Sequence, residues 1–384
     1  QQSHVYKNLS FFKMDLNDRD RDEAQYWVWS HHSAWGYYSK PPMISLAIKL
    51  QTYLWGDSIF ALRALSVVIH GFTSLVIYQI GNTLFNRQVA SYSTALFFTM
   101  PGVSLSSILI TTDVLLLFSW ALTLWMFILA IQQNRLRFWY LSGLFSGIGL
   151  LTKYSMLLFL PSVICFLICN RQHRHLLLKP GIWLASLIAF LIWLPNLLWQ
   201  LQHSFITFQH TYEISQLSKT TFDILPSILF LISQFAVFGP ISTTLLIFAF
   251  WSLKNKERTI PWQGLCASFT LVFLLTISTL ALLSRAFANW SAPAYIMASI
   301  WIAASAYHMK KIKWLKTAVF VNVAIMLFLY CLVPFMSLFG LTFTHGKGPL
   351  KHVLGWELLS DKLSKTHQMY PTYGFLCDDR RTIS

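Results

Sequence analysis

Three acidic residues in this sequence stand where they could do chemistry. Asp22 and Glu23 open an aromatic run, and Asp113 is the only acid inside any apolar segment. A carboxylate can take the proton of an attacking hydroxyl group, so each is a candidate catalytic residue. Each also fits a structural role. Asp22 and Glu23 would favour a helix N-terminus, and Asp113, which follows two threonines, would cap the next helix.

Three cations stand in stretches that are otherwise poor in basic residues. Lys40 precedes two prolines, which force an extended backbone, whereas Lys153 and Arg285 lie at turns between apolar segments. Cationic side chains are common partners of phosphate, so the three are candidates for binding a donor phosphate. Lys40 could equally have a structural role, with its aliphatic chain along an apolar surface and its ammonium group in water. Neighbouring side chains that could contact substrate are Tyr37, Tyr38, Tyr154 and Asn289.

The composition defines the elements that must position these residues. The chain has 384 residues, 55% of them hydrophobic, 16% aromatic and 11% charged, whereas soluble domains carry about 25% charged residues. This excludes a disordered chain, a disulfide scaffold and a cytosolic enzyme, and it predicts a polytopic membrane protein. The net charge of +15 is better explained by basic cytoplasmic loops than by binding to nucleic acid. No nucleic-acid partner is expected.

Several common site types are missing from the sequence. The five cysteines show no CxxC or Cys/His metal spacing, and the twelve histidines show no HExxH. There is no Walker loop, GxGxxG or GxSxG, which argues against a nucleotide-driven pump and a serine hydrolase. No metal ligand is assigned.

Ten apolar segments are predicted as helices, because lipid leaves no backbone group unpaired. They are 58–85, 89–108, 113–131, 138–152, 154–170, 181–200, 226–251, 262–283, 291–308 and 315–338. The predicted organisation is a first extracytoplasmic loop with interfacial helices over 1–57, a transmembrane domain over 58–338 and a C-terminal extracytoplasmic segment over 339–384.

Charge in the loops predicts which side of the membrane each faces. Every second loop is rich in Lys and Arg, whereas the short loops between them hold only Lys153, Lys219 and Arg285. The positive-inside rule places the rich set, at 87, 135–137, 171–179, 254–258 and 310–316, in the cytoplasm. The two chain ends and the candidate residues then lie outside it. A further helix ahead of Gln1 is expected, since 1–57 holds no span of its own.

Five motifs, in order and spacing, resemble one known family. They are DEAQYWVWSHHSAWGYYSKPP, GDSIFALRALSVV, TTDVLLLFSW, LTKYSMLLFLP and ANWSAPAYI, and the tail KGPLKHVLGWELL is similar too. The sequence resembles the GT-C glycosyltransferases of the dolichyl-phosphate-mannose protein mannosyltransferase and aminoarabinose transferase type. It is most similar to the bacterial members that use an undecaprenyl-phosphate sugar.

The resemblance implies an all-α GT-C membrane fold with about ten or eleven transmembrane helices. It implies an inverting transfer of a sugar from a polyprenyl phosphate to a hydroxyl of a lipid, glycan or protein. By this resemblance, Asp22 matches the family's essential acid and Glu23 is its neighbour. Lys40 matches the lysine of the family's KP motif, which lies near the donor phosphate. Asp113 matches the family's second acidic motif. Metal use varies among relatives, so a divalent ion stays an open alternative. The implied location is the bacterial inner membrane, with the active site facing the periplasm.

Two alternatives to an active transferase stay open at this point. The same cations and spans would suit a transporter or flippase for an anionic lipid, although such proteins often show an internal repeat and none is seen here. The chain could also be an inactive fragment of the transferase. The reading frame upstream of Gln1 would discriminate between an active transferase and an inactive fragment. An apolar segment there would restore the expected first helix and weaken the fragment alternative.

Overall fold

The computed structural model describes residues 18–215, 224–253, 260–284 and 286–338. The regular structure of these residues is helical. The α-helices, numbered in chain order, are α1 (Asp18–His31), α2 (Met43–Trp55), α3 (Ile59–Leu84), α4 (Arg87–Thr99), α5 (Pro101–Ser106), α6 (Thr112–Gln133), α7 (Leu136–Leu150), α8 (Phe159–Cys169), α9 (Pro180–Gln202), α10 (Ile206–Ser215), α11 (Ile224–Val237), α12 (Pro240–Ser252), α13 (Gln263–Leu283), α14 (Ala294–His308) and α15 (Ile312–Leu338). Short 3₁₀ turns cover Tyr154–Leu158, Arg174–Leu178 and Ala288–Ser291.

Five of these helices are long and apolar enough to cross a membrane. They are α3, α6, α9, α13 and α15, and α11 with α12 would make a sixth if the pair, bent by 116°, forms one broken span. Each corresponds to one of the ten predicted segments. The other four predicted segments form shorter helices, such as the 15-residue α7 and α14, below the roughly 20 residues that a span needs. Within the described residues, the count is therefore lower than the ten expected.

Proline and glycine explain where the apolar runs are broken. The segment predicted at 89–108 divides at Pro101, which begins α5, because proline suits the first turn of a helix better than its interior. The segment predicted at 226–251 divides at Gly239, whose φ of +95° is in a region that other residues rarely adopt. Pro240 then begins α12. Hydropathy identified these runs as apolar, but helix length depends on single residues inside them.

The core of the helical bundle forms around α14. Residues Ala294 to Ala306 of this helix are all buried, and it contacts α3, α4, α12, α13 and α15. A second tight contact joins α7 to α9, where the glycines of α7 leave no room for a side chain. A methyl group at Gly143 or Gly147 would collide with Ala185 or Ile192. Close backbone approach through small residues is typical of helices packed in membranes.

The predicted first extracytoplasmic loop forms two helices with a small core of their own. Tyr26 and Trp29 of α1 pack with Tyr37 and with Ile44 and Ile48 of α2. The opposite face of α2 is exposed and carries large apolar side chains, among them Leu50, Tyr53 and Trp55. An exposed apolar face beside the first span fits a helix lying in the membrane interface, as predicted. The aromatic run itself is divided, since its side chains at 26 and 29 are buried while Trp35 is exposed.

Candidate active site

Asp113 holds two of the predicted site residues together. The Lys153 Nζ atom lies 2.6 Å from Asp113 Oδ1, and Asn289 Nδ2 donates to Asp113 Oδ2 over 2.7 Å. Lys40 also interacts electrostatically with the Asp113 carboxylate. Three residues from separate segments of the chain therefore interact with the carboxylate of a fourth, Asp113.

The role of Asp113 differs from that of a helix cap. The residue lies in the first turn of α6, where the helix dipole favours an acid. The N-cap position belongs to Thr111, which makes no side-chain capping bond, and both carboxylate oxygens of Asp113 point to partners outside its own helix. The contacts therefore do not support the capping interpretation, and the role of Asp113 in the site stays a prediction.

Each partner of Asp113 is held by its own local structure. Lys153 follows the last turn of α7, where its backbone N–H donates to Gly149. Asn289 lies in the 3₁₀ turn that leads into α14. That turn is fixed by Gln234 of α11, whose Oε1 accepts hydrogen bonds from the hydroxyls of Ser291 and Tyr295. Gln234 is buried, and the sequence analysis missed it because an isolated glutamine in an apolar run carries no motif.

The hydroxyl group of Tyr154, the neighbour of Lys153, both donates and accepts a hydrogen bond. It donates to Asn196 Oδ1 and accepts from Gln200 Nε2, each over 3.0 Å, and its ring stacks on Phe208 with 4.4 Å between centroids. Asn196 and Gln200 lie on α9 and were also missed from sequence. Tyr154 was predicted as a substrate contact, and the structure shows it as a link between the Lys153 turn and α9.

Tyr37 and Tyr38 occupy different surroundings. The Tyr37 hydroxyl lies within hydrogen-bond distance of the Trp29 and His32 carbonyls and accepts from Ser45 Oγ, and its ring stacks on Trp29. Tyr38 is half-buried and its ring contacts His210 of α10. Tyr37 therefore shapes the turn that carries Lys40, while Tyr38 packs between that turn and α10.

Glu23 is buried and engaged on both carboxylate oxygens. Oε2 pairs with Arg63 Nη2 of α3 over 3.1 Å, and Oε1 accepts from the Ile110 N–H over 3.2 Å. These contacts tie α1 to α3 and to the segment that leads into Asp113. The backbone of Asp22 lies in α1, but its side chain is outside the described part of the structure, and Arg285 lies wholly outside it. Their predicted roles stay predictions.

The Lys153–Asp113 pair offers a partly exposed cation to a ligand. Among the described residues, no three His, Cys, Asp or Glu side chains form a group that could hold a metal. The Lys153 and Asp113 side chains keep 21% and 14% of their surface exposed, so the pair lies at the edge of the bundle. A cation that is partly exposed and fixed by a carboxylate can donate further hydrogen bonds to a phosphate.

Comparison with known proteins supports the family. The family model of the dolichyl-phosphate-mannose-protein mannosyltransferases matches residues 39–199, a range that includes Lys40, Asp113 and Lys153. The lipid A galacturonosyltransferase RgtD of Rhizobium johnstonii is 31% identical over 379 residues, covering 96% of this chain and 77% of that protein. The undecaprenyl phosphate-alpha-4-amino-4-deoxy-L-arabinose arabinosyl transferase of Pseudomonas savastanoi is 27% identical over 44% of this chain and 32% of that protein.

Solved structures share the fold. ArnT from Cupriavidus metallidurans, bound to undecaprenyl phosphate, matches with a TM-score of 0.59 at 12% identity, over 75% of this chain and 55% of that chain. The Archaeoglobus fulgidus oligosaccharyltransferase matches with a TM-score of 0.52 at 11% identity, over 81% of this chain and 48% of that chain. At these identities the matches show the fold alone, and they confirm the predicted GT-C architecture. The two curated relatives are both named as transferases, which favours an enzyme over a transporter. The chain belongs to the GT-C family of membrane glycosyltransferases that includes the lipid A galacturonosyltransferase RgtD.

Proposed function

We propose that this enzyme moves a sugar from a polyprenyl-phosphate donor to a hydroxyl acceptor at the extracytoplasmic face of the bacterial inner membrane. The observation that carries the proposal is the convergence of Lys153, Asn289 and Lys40 on Asp113. All four lie at the end of the bundle that the loop charges assign to the extracytoplasmic side. A donor with a lipid tail and a charged phosphate needs this kind of site, with cations at the end of apolar helices.

The cations of the site suit the leaving group of such a reaction. The acceptor oxygen attacks the anomeric carbon, the bond from that carbon to the phosphate oxygen breaks, and the electron pair leaves with the phosphate. Fixed positive charges stabilise a leaving group on which negative charge develops. We assign Lys40 and Lys153 to the donor phosphate, together with Arg285. Asp113 holds Lys153 in place, and Asn289 beside it can contact the sugar.

The acceptor proton needs a base, for which Asp22 is the proposed group. Asp113 is less suited, because both of its oxygens already accept hydrogen bonds from Lys153 and Asn289. Glu23 is likewise occupied by Arg63 and Ile110. The resemblance gives the Asp22 position the family's essential acid, and this supports Asp22 as the base.

The acceptor is proposed to be a lipid. A lipid, a glycan and a protein hydroxyl all satisfy the chemistry, but the Rhizobium relative is named for lipid A. The exposed apolar face of α2 also lies beside the site, where it can rest in the membrane interface.

The test combines lipid identification with transfer. The purified protein is extracted and the mass of any bound polyprenyl phosphate is determined; the protein is then reconstituted with polyprenyl-phosphate sugars and candidate acceptors. Transfer that needs both the polyprenyl carrier and the acceptor supports the proposal. Folded protein that moves intact lipid between leaflets without transfer would establish the transporter instead. Folded protein that does neither would establish an inactive fragment.

A further inference from the structure

A chain of buried polar contacts links the loop that carries Lys40 to the turn that carries Lys153. It consists of Tyr154, Asn196, Gln200 and Thr207, and is called the polar bridge below. We propose that Asn196, Gln200 and Thr207 are positioning residues that set the relative placement of these two cations. The proposal rests on the proposed function, since it assigns a purpose to the spacing of two groups that would share one phosphate.

The first half of the polar bridge is made by Asn196. Its Oδ1 accepts from the Tyr154 hydroxyl over 3.0 Å and from Trp193 Nε1 over 3.1 Å. Its Nδ2 donates to the backbone carbonyl of Trp35 over 2.6 Å. One amide side chain therefore holds the residue next to Lys153 and the loop that leads to Lys40.

The second half is made by Gln200, one helical turn further along α9. Its Nε2 donates to the Tyr154 hydroxyl over 3.0 Å and to Thr207 Oγ1 over 2.5 Å, while its Oε1 accepts from the Thr207 N–H. Thr207 Oγ1 in turn donates to the backbone carbonyl of Tyr37 over 2.5 Å. Two amides spaced i, i+4 on one helix face thus reach the same loop at two points.

The two attachment points lie at the start of the turn that carries Lys40. Trp35 and Tyr37 lie on either side of Gly36, which packs so closely under Trp199 that an added methyl group would collide with it. The Tyr37 N–H donates to the Lys40 carbonyl over 3.0 Å. The position of the Lys40 backbone therefore follows from the two carbonyls that the polar bridge holds.

Asn196, Gln200 and Thr207 of the polar bridge are buried polar side chains. Asn196 and Gln200 are 0% exposed, in a helix whose other side chains are mostly apolar, and Thr207 of α10 is 1% exposed. Buried amides gain little net stability over apolar side chains of similar shape, even when every hydrogen bond is made. Their hydrogen bonds instead fix the relative positions of the groups they join, because each bond places one donor against one acceptor. A misplacement of about 1 Å at a site can cost about 10²-fold in rate.

The sharpest test uses two variants at Thr207, each of which removes a different group of the side chain. Thr207→Val keeps the volume and removes the hydroxyl, whereas Thr207→Ser keeps the hydroxyl and removes the methyl group. A positioning role predicts that the Val variant raises the Kd for polyprenyl phosphate and the KM for the donor by roughly tenfold, because the hydroxyl makes two hydrogen bonds of the polar bridge. The Ser variant should stay near wild type. A role in packing alone predicts the reverse order, and that order would overturn the proposal.

Further variants keep the test decisive. Asn196→Leu and Gln200→Leu should raise the donor KM more than they lower kcat, whereas Leu198→Ala, at an exposed position between them on α9, should change neither. If Thr207→Val does not accumulate, Tyr154→Phe keeps the ring and carries the same prediction. Wild-type donor affinity in these folded variants contradicts the positioning role. Failure of the wild-type protein to bind polyprenyl phosphate contradicts the proposed function instead.

Discussion

The ammonium of Lys153 lies 2.6 Å from the carboxylate of Asp113, although 40 positions separate the two residues in the chain. The pair joins the start of α6 to the turn after α7, two helices that pack antiparallel against each other. Charges buried in or near a bilayer are costly unless they are paired or face water. The pairing explains how an acid and a lysine are both tolerated at this place.

Removing both members of this pair is expected to cost less than the sum of removing each one alone. Asp113→Asn or Lys153→Met leaves a partly buried group without its partner, for which about 3 kcal/mol of stability is a typical loss. The double variant should lose less than the sum of the two, with a coupling of roughly 0.5–3 kcal/mol. Unfolding midpoints of all four proteins in the same detergent measure the coupling. Strict additivity would show that the two side chains do not depend on each other.

Asp22→Asn is expected to lower transfer by about 10²–10⁴-fold, because the amide keeps the shape of the side chain and cannot accept the proton. The variant should insert in the membrane, keep its unfolding midpoint and retain bound lipid. Transfer is measured in membranes from a strain without the native enzyme and normalised to folded protein. Wild-type rates would remove Asp22 from catalysis.

Glu23→Gln is the matched comparison for that variant, at the adjacent position. Here the expected effect is on stability, since the substitution removes the charge that faces Arg63 and weakens the contact with Ile110. A hydrogen bond to a charged group typically contributes about 1.5–3 kcal/mol. A lowered unfolding midpoint in Glu23→Gln, with none in Asp22→Asn, would separate the two neighbouring acids into a structural and a chemical one. Equal midpoints in both would contradict this division.

Lys40→Ala is expected to weaken use of the polyprenyl-phosphate donor more than Lys40→Arg does. The alanine variant loses a charge-assisted hydrogen bond, which corresponds to roughly a tenfold to hundredfold effect at limiting donor. Lys49→Ala serves as the control, because Lys49 is exposed and bonds Ser33 on the same loop. Near-wild-type turnover in both Lys40 variants would exclude this lysine from the phosphate site.

The orientation of the site can be tested by labelling single cysteines. In a background without the five native cysteines, Gln209→Cys on α10 should react with an impermeant maleimide in spheroplasts. Gln172→Cys, in the basic loop after α8, should react only after the membrane is opened. Both positions are exposed, so access to the reagent depends on the side of the membrane. The opposite pattern would reverse the topology and move the proposed site to the cytoplasm.

The sequence by itself determined the class of the fold and predicted the side of the membrane that the site faces. Hydropathy and loop charge are sums over many residues, so neither depends on how any one side chain packs. For the same reason the apolar pattern identified α3, α6, α9, α13 and α15 as spans. The resemblance then supplied Lys40 and Asp113, because their motifs are local in the chain.

Only the tertiary structure decided which candidate residues meet and which ones support them. Glu23 and Asp113 are both carboxylate candidates in the sequence, yet one pairs with Arg63 and the other with Lys153. Asn196 and Gln200 carry no motif at all, and their importance follows from partners in distant segments. Hydrogen bonds are short and directional, so they depend on where the backbone of each partner lies. That information exists only once α9 has packed against α7 and the Lys40 loop has folded onto it.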